Sequence, residues 1–140
     1  MSKPEYILII ANSGRMLAQA AFDAGFKPLV IDLFADLDTQ SHADDFVQVA
    51  SLALHDLASA AEYFISRYAV KLLVYGSGFE QYPESLVYLA ERLLTLGNSV
   101  DSFVNVQDKQ HFFSALKQLD IPSPAVSFTA PAFNKNSLDF

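Results

Sequence analysis

The chain contains no cysteine and few basic residues, and it has no long apolar run. Each shortage removes a class of function. Without cysteine there is no disulfide framework, no thiolate nucleophile and no cysteine metal site. Nine Lys and Arg stand against 16 Asp and Glu, for a net charge of −7. The bases are scattered along the chain, which argues against a nucleic acid partner, since phosphate-backbone affinity comes from clustered cations. No apolar run approaches the roughly 18 to 20 residues needed to cross a bilayer, and the start of the chain has no basic stretch followed by a signal-type segment. A cytoplasmic protein without a membrane partner is the expectation. What remains is 140 residues, 51% hydrophobic and 18% charged, enough for about one domain with a packed core.

The chain is organised around Tyr6 to Thr39. Tyr6 to Ala11 is unbroken apolar sequence, suited to a strand buried on both faces, and Asn12-Ser13-Gly14 interrupts it with turn residues. Met16, Leu17, Ala20, Ala21 and Ala24 then recur at helical spacing until Gly25, and Pro28 to Leu33 is a second strand. Two strands joined by one helix form a βαβ unit with a right-handed crossover and a parallel sheet. Ala35 to Asp45 reads as an acidic, turn-prone loop and Phe46 to Val49 as a short strand. Leu54 to Tyr68 carries one apolar helical face, and Lys71 to Tyr75 is a fourth strand broken by Gly76-Ser77-Gly78. Pro83 and Glu84 open another helix, whose apolar stripe runs through Leu86, Leu89, Ala90 and Leu93 before Gly97-Asn98 ends the segment. A short helical piece over Val100 to Val106 precedes a helix capped by Asp108 and stopped at Ile121-Pro122-Ser123-Pro124. Ala130 to Phe140 has no periodicity. The alternation predicts an α/β fold, a three-layer Rossmann-like sandwich with a mostly parallel sheet of four or five strands.

Ligands of such sheets sit beyond the carboxyl ends of the strands, which puts Asn12, Ser13, Gly14 and Arg15, together with Asp32 to Asp38, on one functional edge. Asp32 stands where a ribose-binding acid would be expected, about 20 residues beyond the first turn. The dinucleotide fingerprint nevertheless fails, because Asn12 and Leu17 occupy two of the three glycine positions. His42, His55 and His111 are far apart and form no metal-binding pair, so no metal ligands are assigned. Gly76-Ser77-Gly78 is not a nucleophile elbow; it is either a flexible loop or a substrate-facing one. Asp32, Asp36, Asp38, Asp44 and Asp45 lack calcium-loop spacing and read as a solvated loop more readily than as a cation site. Arg15 opposes the dipole of the helix it begins, which points to an ion pair with the acidic loop or to a bound carboxylate.

Three segments in order resemble the N-terminal, pre-ATP-grasp domain of ATP-grasp enzymes, best known from biotin carboxylase. Ile7 to Val49 resembles the family's strand into Ala-Asn-x-Gly, helix, strand and acidic stretch. Val74 to Leu93 (VYGSGFEQYPESLVYLAERL) resembles its Gly-x-Gly-Phe loop and following helix, with Leu96-Gly97-Asn98 where the family has a strand ending in Gly. Gln107 to Pro124 (QDKQHFFSALKQLDIPSP) resembles its Asp-Lys helix. The resemblance is nearest to predicted ATP-dependent carboligases.

The resemblance implies a pre-ATP-grasp domain over residues 1–124 and a linker over 125–140 toward a missing C-terminal ATP-grasp domain. It implies a ligase that uses ATP and magnesium to form an acyl phosphate on a small-molecule carboxylate, which an amine or thiol then attacks. Lys109 would reach nucleotide, and the loops Asn12 to Arg15 and Gly76 to Glu80, with Ser77, Gly78 and Glu80, would face the substrate or the second domain. A homodimer is also implied. Asp120 replaces the glycine usual before Ile-Pro, which suggests a different helix exit. The chain by itself is expected to hold no cofactor tightly and to have no catalytic residue. The alternatives are a stand-alone Rossmann-like module that binds a nucleotide or small acid, and a dimerisation domain.

Overall fold

The computed structural model describes residues 4–129. The aperiodic tail from Ala130 to Phe140 lies outside them. The chain forms two compact units, Met1–Val104 and Asn105–Phe140.

The first unit is built on a five-stranded sheet. Its elements in order are β1 (Tyr6–Ile10), α1 (Arg15–Asp23), β2 (Lys27–Asp32), α2 (Leu37–His42), β3 (Asp45–Gln48), α3 (Leu54–Tyr68), β4 (Leu72–Tyr75), α4 (Pro83–Ala90), β5 (Leu94–Thr95) and the start of α5 (Val100–Gln107). Every strand pair is parallel, and the order across the sheet is β3-β2-β1-β4-β5. β1 is central because its residues are apolar on both faces. Leu8 and Ile10 face a core shared with Leu57 and Phe64 of α3 and Leu86 and Leu89 of α4, while Ile9 faces Ala18 of α1 and Val30 of β2. This is the three-layer α/β sandwich that the alternation of elements predicts.

Two local readings need correction. The acidic stretch after β2 is not all loop. Asp36 accepts the Thr39 N–H at 2.8 Å, and this cap starts the six-residue α2. The apolar stripe through Leu93 does not stay helical: α4 ends at Ala90, Leu93 is buried in a turn, and β5 pairs with β4 two residues upstream of the expected position. A two-residue strand is too short to leave a period in the sequence, so the helical stripe masked it.

In the second unit, α6 (Lys109–Gln118) is capped by Asp108, which accepts the His111 N–H at 3.0 Å. Its exit is the ordinary one, contrary to the expectation from Asp120. Asp120 adopts φ 55, the Ile121 N–H bonds the Leu116 carbonyl at 2.9 Å, and the Asp120 N–H bonds the Lys117 carbonyl at 3.2 Å. That is the double-bonded helix end usually closed by glycine, adopted here by an aspartate at some cost in strain.

Candidate functional site

In the strand order the chain reverses direction between β1 and β4, and the turns after those strands meet at the carboxyl rim of the sheet. The Asn12 N–H donates to the Ser77 carbonyl at 2.8 Å, and the Gly76 N–H donates to the Ile10 carbonyl at 2.9 Å. The loop after β2 joins them, because the Leu33 N–H donates to the Asn12 carbonyl at 3.1 Å. Three loops distant in sequence thus share one edge, and they carry Asn12, Ser13, Gly14, Arg15, Asp32, Gly76, Ser77, Gly78 and Glu80 together.

Within that edge the residues divide by exposure. Ser13, Arg15, Ser77 and Glu80 are open to solvent, while Gly14 and Asp32 are buried. Asp32 is 1% exposed, and its carboxylate accepts the N–H groups of Gly14 (3.0 Å), Phe34 (3.2 Å) and Ala35 (2.7 Å) and the hydroxyl of Thr39 (3.4 Å). A buried charge is tolerated when such donors surround it. Gly14 has no room for a side chain, since a Cβ there would lie 2.5 Å from Val30 Cγ1. Gly78 sits at φ 114 with the Asn12 amide packed against it, so it requires glycine twice over. Glu80 folds back to accept the Gly78 N–H at 2.7 Å, inside a 3-10 turn at Phe79–Gln81.

Arg15 takes the ion-pair option. Its Nη1 lies 3.5 Å from Asp38 Oδ2, with both side chains largely exposed. Thr39, which the sequence does not single out, joins the site through its hydroxyl, and Asp36 of the acidic stretch joins it as the cap that holds Thr39 in place; the Asp36-x-x-Thr39 spacing of a helix cap is the only sequence signal for this pair. The Asp36 carboxyl is held below the usual aspartate range, chiefly by the Thr39 backbone N–H. Among the described residues no three His, Asp or Glu converge as a metal site, and no helix is long and apolar enough to cross a membrane.

Solved structures share this arrangement. N5-carboxyaminoimidazole synthetase from Staphylococcus aureus matches with a TM-score of 0.65 and 23% identity, over 86% of this chain and 31% of its own. The biotin carboxylase domain of a single-chain bacterial carboxylase matches with a TM-score of 0.66 and 16% identity, over 90% and 31%. L-amino acid ligase from Bacillus licheniformis matches with a TM-score of 0.62 and 16% identity, over 89% and 32%. The chain shares its fold with about a third of each of these proteins. No family model and no curated protein matches the sequence. The chain spans about a third of the length of these structures, and the Staphylococcus synthetase is also known complexed with ADP.

Lys109 belongs to the second unit, and the rim residues belong to the first. Its ammonium donates to the Val106 carbonyl at 3.3 Å and lies 5.7 Å from the centre of the Phe112 ring. Both contacts are local, the first to the last turn of α5 and the second within the first turn of α6. The lysine is therefore held at the start of α6 by weak local contacts and no acid engages it among the described residues.

Proposed function

We propose that this chain is the N-terminal, substrate-side domain of an ATP-grasp ligase that joins a carboxylate to an amine or a thiol. The observation that carries this reading is the match of nearly the whole chain to under a third of three enzymes, two of them named as a synthetase or a ligase and one as a biotin carboxylase domain. In the complete enzyme a C-terminal ATP-grasp domain holds ATP and magnesium and transfers phosphate to the substrate carboxylate, after which the amine or thiol displaces phosphate. The work is positioning and charge stabilisation of a transferring phosphoryl group.

The domain is drawn over residues 1–124, with 125–140 leading toward the nucleotide-holding domain. The exposed rim groups Ser13, Arg15, Ser77 and Glu80 face the small-molecule substrate, with Asn12, Gly14, Asp32, Gly76 and Gly78 shaping the loops that present them. Lys109 extends to the nucleotide, a task suited to a compact ammonium on a flexible stem. Alone, in the cytoplasm or in a tube, the chain is inactive.

The test has two parts. Thermal unfolding of the 140-residue chain with ATP and magnesium should show no shift, whereas a stand-alone nucleotide module at a hundred times its dissociation constant would gain about 2.7 kcal/mol. In a polypeptide that carries an ATP-grasp domain after Phe140, ATP turnover should require the acceptor, and Lys109→Ala should weaken nucleotide binding. Unchanged affinity would remove Lys109 from the nucleotide site, and acceptor-independent silence would remove the ligase reading.

A further inference from the structure

Parallel βαβ folds that bind dinucleotides place a pyrophosphate at the amino end of the first helix, where backbone N–H groups and the helix dipole attract it. In this chain that position is already taken. The Gly14 N–H, at the cap of α1, donates to Asp32 Oδ2 at 3.0 Å, and the carboxylate is 1% exposed. A phosphate oxygen seeking that amide would have to displace a buried anion that three further donors hold in place. Two like charges at such a distance repel strongly where water is excluded. Space is closed as well. The start of α1 lies so close to β2 that an added Cβ on Gly14 would meet Val30. The neighbouring crevice between β1 and β4 is bridged by the 2.8 Å bond from the Asn12 N–H to the Ser77 carbonyl, with the Asn12 side chain packed on Gly78.

We propose that Asp32 is the specificity-determining residue of this rim: a resident carboxylate that takes the anion position of the first βα turn and so bars phosphate-bearing ligands from it. The same carboxylate locks two loops together, because its donors come from the turn after β1, from the strained Ala35 (φ 44) and from Thr39 of α2. A nucleotide used by the complete protein must therefore be held elsewhere, and the ligand end that meets this turn carries no phosphate. The inference goes beyond the ligase reading and survives its failure, since it concerns only what the turn excludes.

The test is a titration of the ¹⁵N-labelled 140-residue chain with sodium pyrophosphate and, separately, with NAD⁺. In the wild type the amide signals of Gly14 to Leu17 should stay in place with both. In Asp32→Asn the Gly14 and Arg15 amides should move saturably with pyrophosphate, with affinity raised about tenfold or more, the order expected on removing a like charge from beside an anion. Saturable movement in the wild type would overturn the proposal, as would an Asp32→Asn protein with a dispersed spectrum and wild-type indifference to pyrophosphate. If the asparagine variant loses its dispersed spectrum, Asp32→Ser is read by the same two criteria. The wild-type titration decides by itself whether the turn is closed.

Discussion

The two units of the chain are built on opposite terms. Every buried side chain among the described residues lies at or before Leu93, whereas no described residue of Asn105–Phe140 is buried. The first unit has a sheet with apolar residues on both faces and helices to cover each face. The second has one capped helix whose Phe112, Phe113 and Leu116 are only half covered, followed by residues 121–129, which form neither helix nor strand. Most helical stability comes from packing an apolar face, and an isolated helix of ten residues is marginal in water. The first unit therefore has the buried core that holds a fold, and the described residues of the second have none.

The sharpest way to break this contrast is a pair of truncations in the two aromatic sets. Phe64→Ala should cost about 3–5 kcal/mol in urea unfolding, since Phe64 is fully buried between α3 and the sheet. Phe113→Ala should cost under about 1 kcal/mol, as expected for a side chain that is only half covered. Equal losses would mean that the second unit has a core of its own. Gly14→Ala comes next. The clash with Val30 should cost about 1–3 kcal/mol, visible as a lower urea midpoint, and a neutral result would show that α1 can move away from β2.

Smaller effects test the helix ends. Ala69 closes α3 at φ 50 without being glycine, so Ala69→Gly should raise stability by about 1 kcal/mol. Asp120→Gly relieves the same strain at the end of α6 but should leave the main unfolding transition where it is, if only the first unit is cooperative. The pH dependence is smaller again. Tyr88 Oη donates to Glu62 at 2.5 Å and Arg92 Nε at 3.0 Å, and this holds the Glu62 carboxyl below the usual glutamate range, with the tyrosine as the main cause. A lowered folded pKa adds stability above the unfolded value that is lost as pH falls through the folded one. The difference between wild type and Glu62→Gln in thermal melts should thus be present at neutral pH and vanish on acidification. A difference that grew on acidification would assign the contact the wrong sign.

The sequence by itself determined the class of fold. Short unbroken apolar runs with β-branched residues fit strands covered on both faces, and the helices between them force parallel pairing through right-handed crossovers. Tyr6 to Ala11, Pro28 to Leu33 and Lys71 to Tyr75 needed nothing more. It also placed the turns after β1 and β4, because strand polarity fixes which end each loop occupies. What it could not contain was the partner of each polar group. The same Asp32 that sits at a ribose-binding distance along the chain is, in space, ringed by Gly14, Phe34, Ala35 and Thr39, and only the close approach of α1 to β2 decides that. Likewise β5 is a strand because β4 offers it an edge at Lys71 and Leu73, with the Leu94 and Leu96 N–H groups bonded there at 2.8 Å each. Two residues carry no periodicity of their own, so hydrogen bonding to a neighbour, not local preference, made that choice.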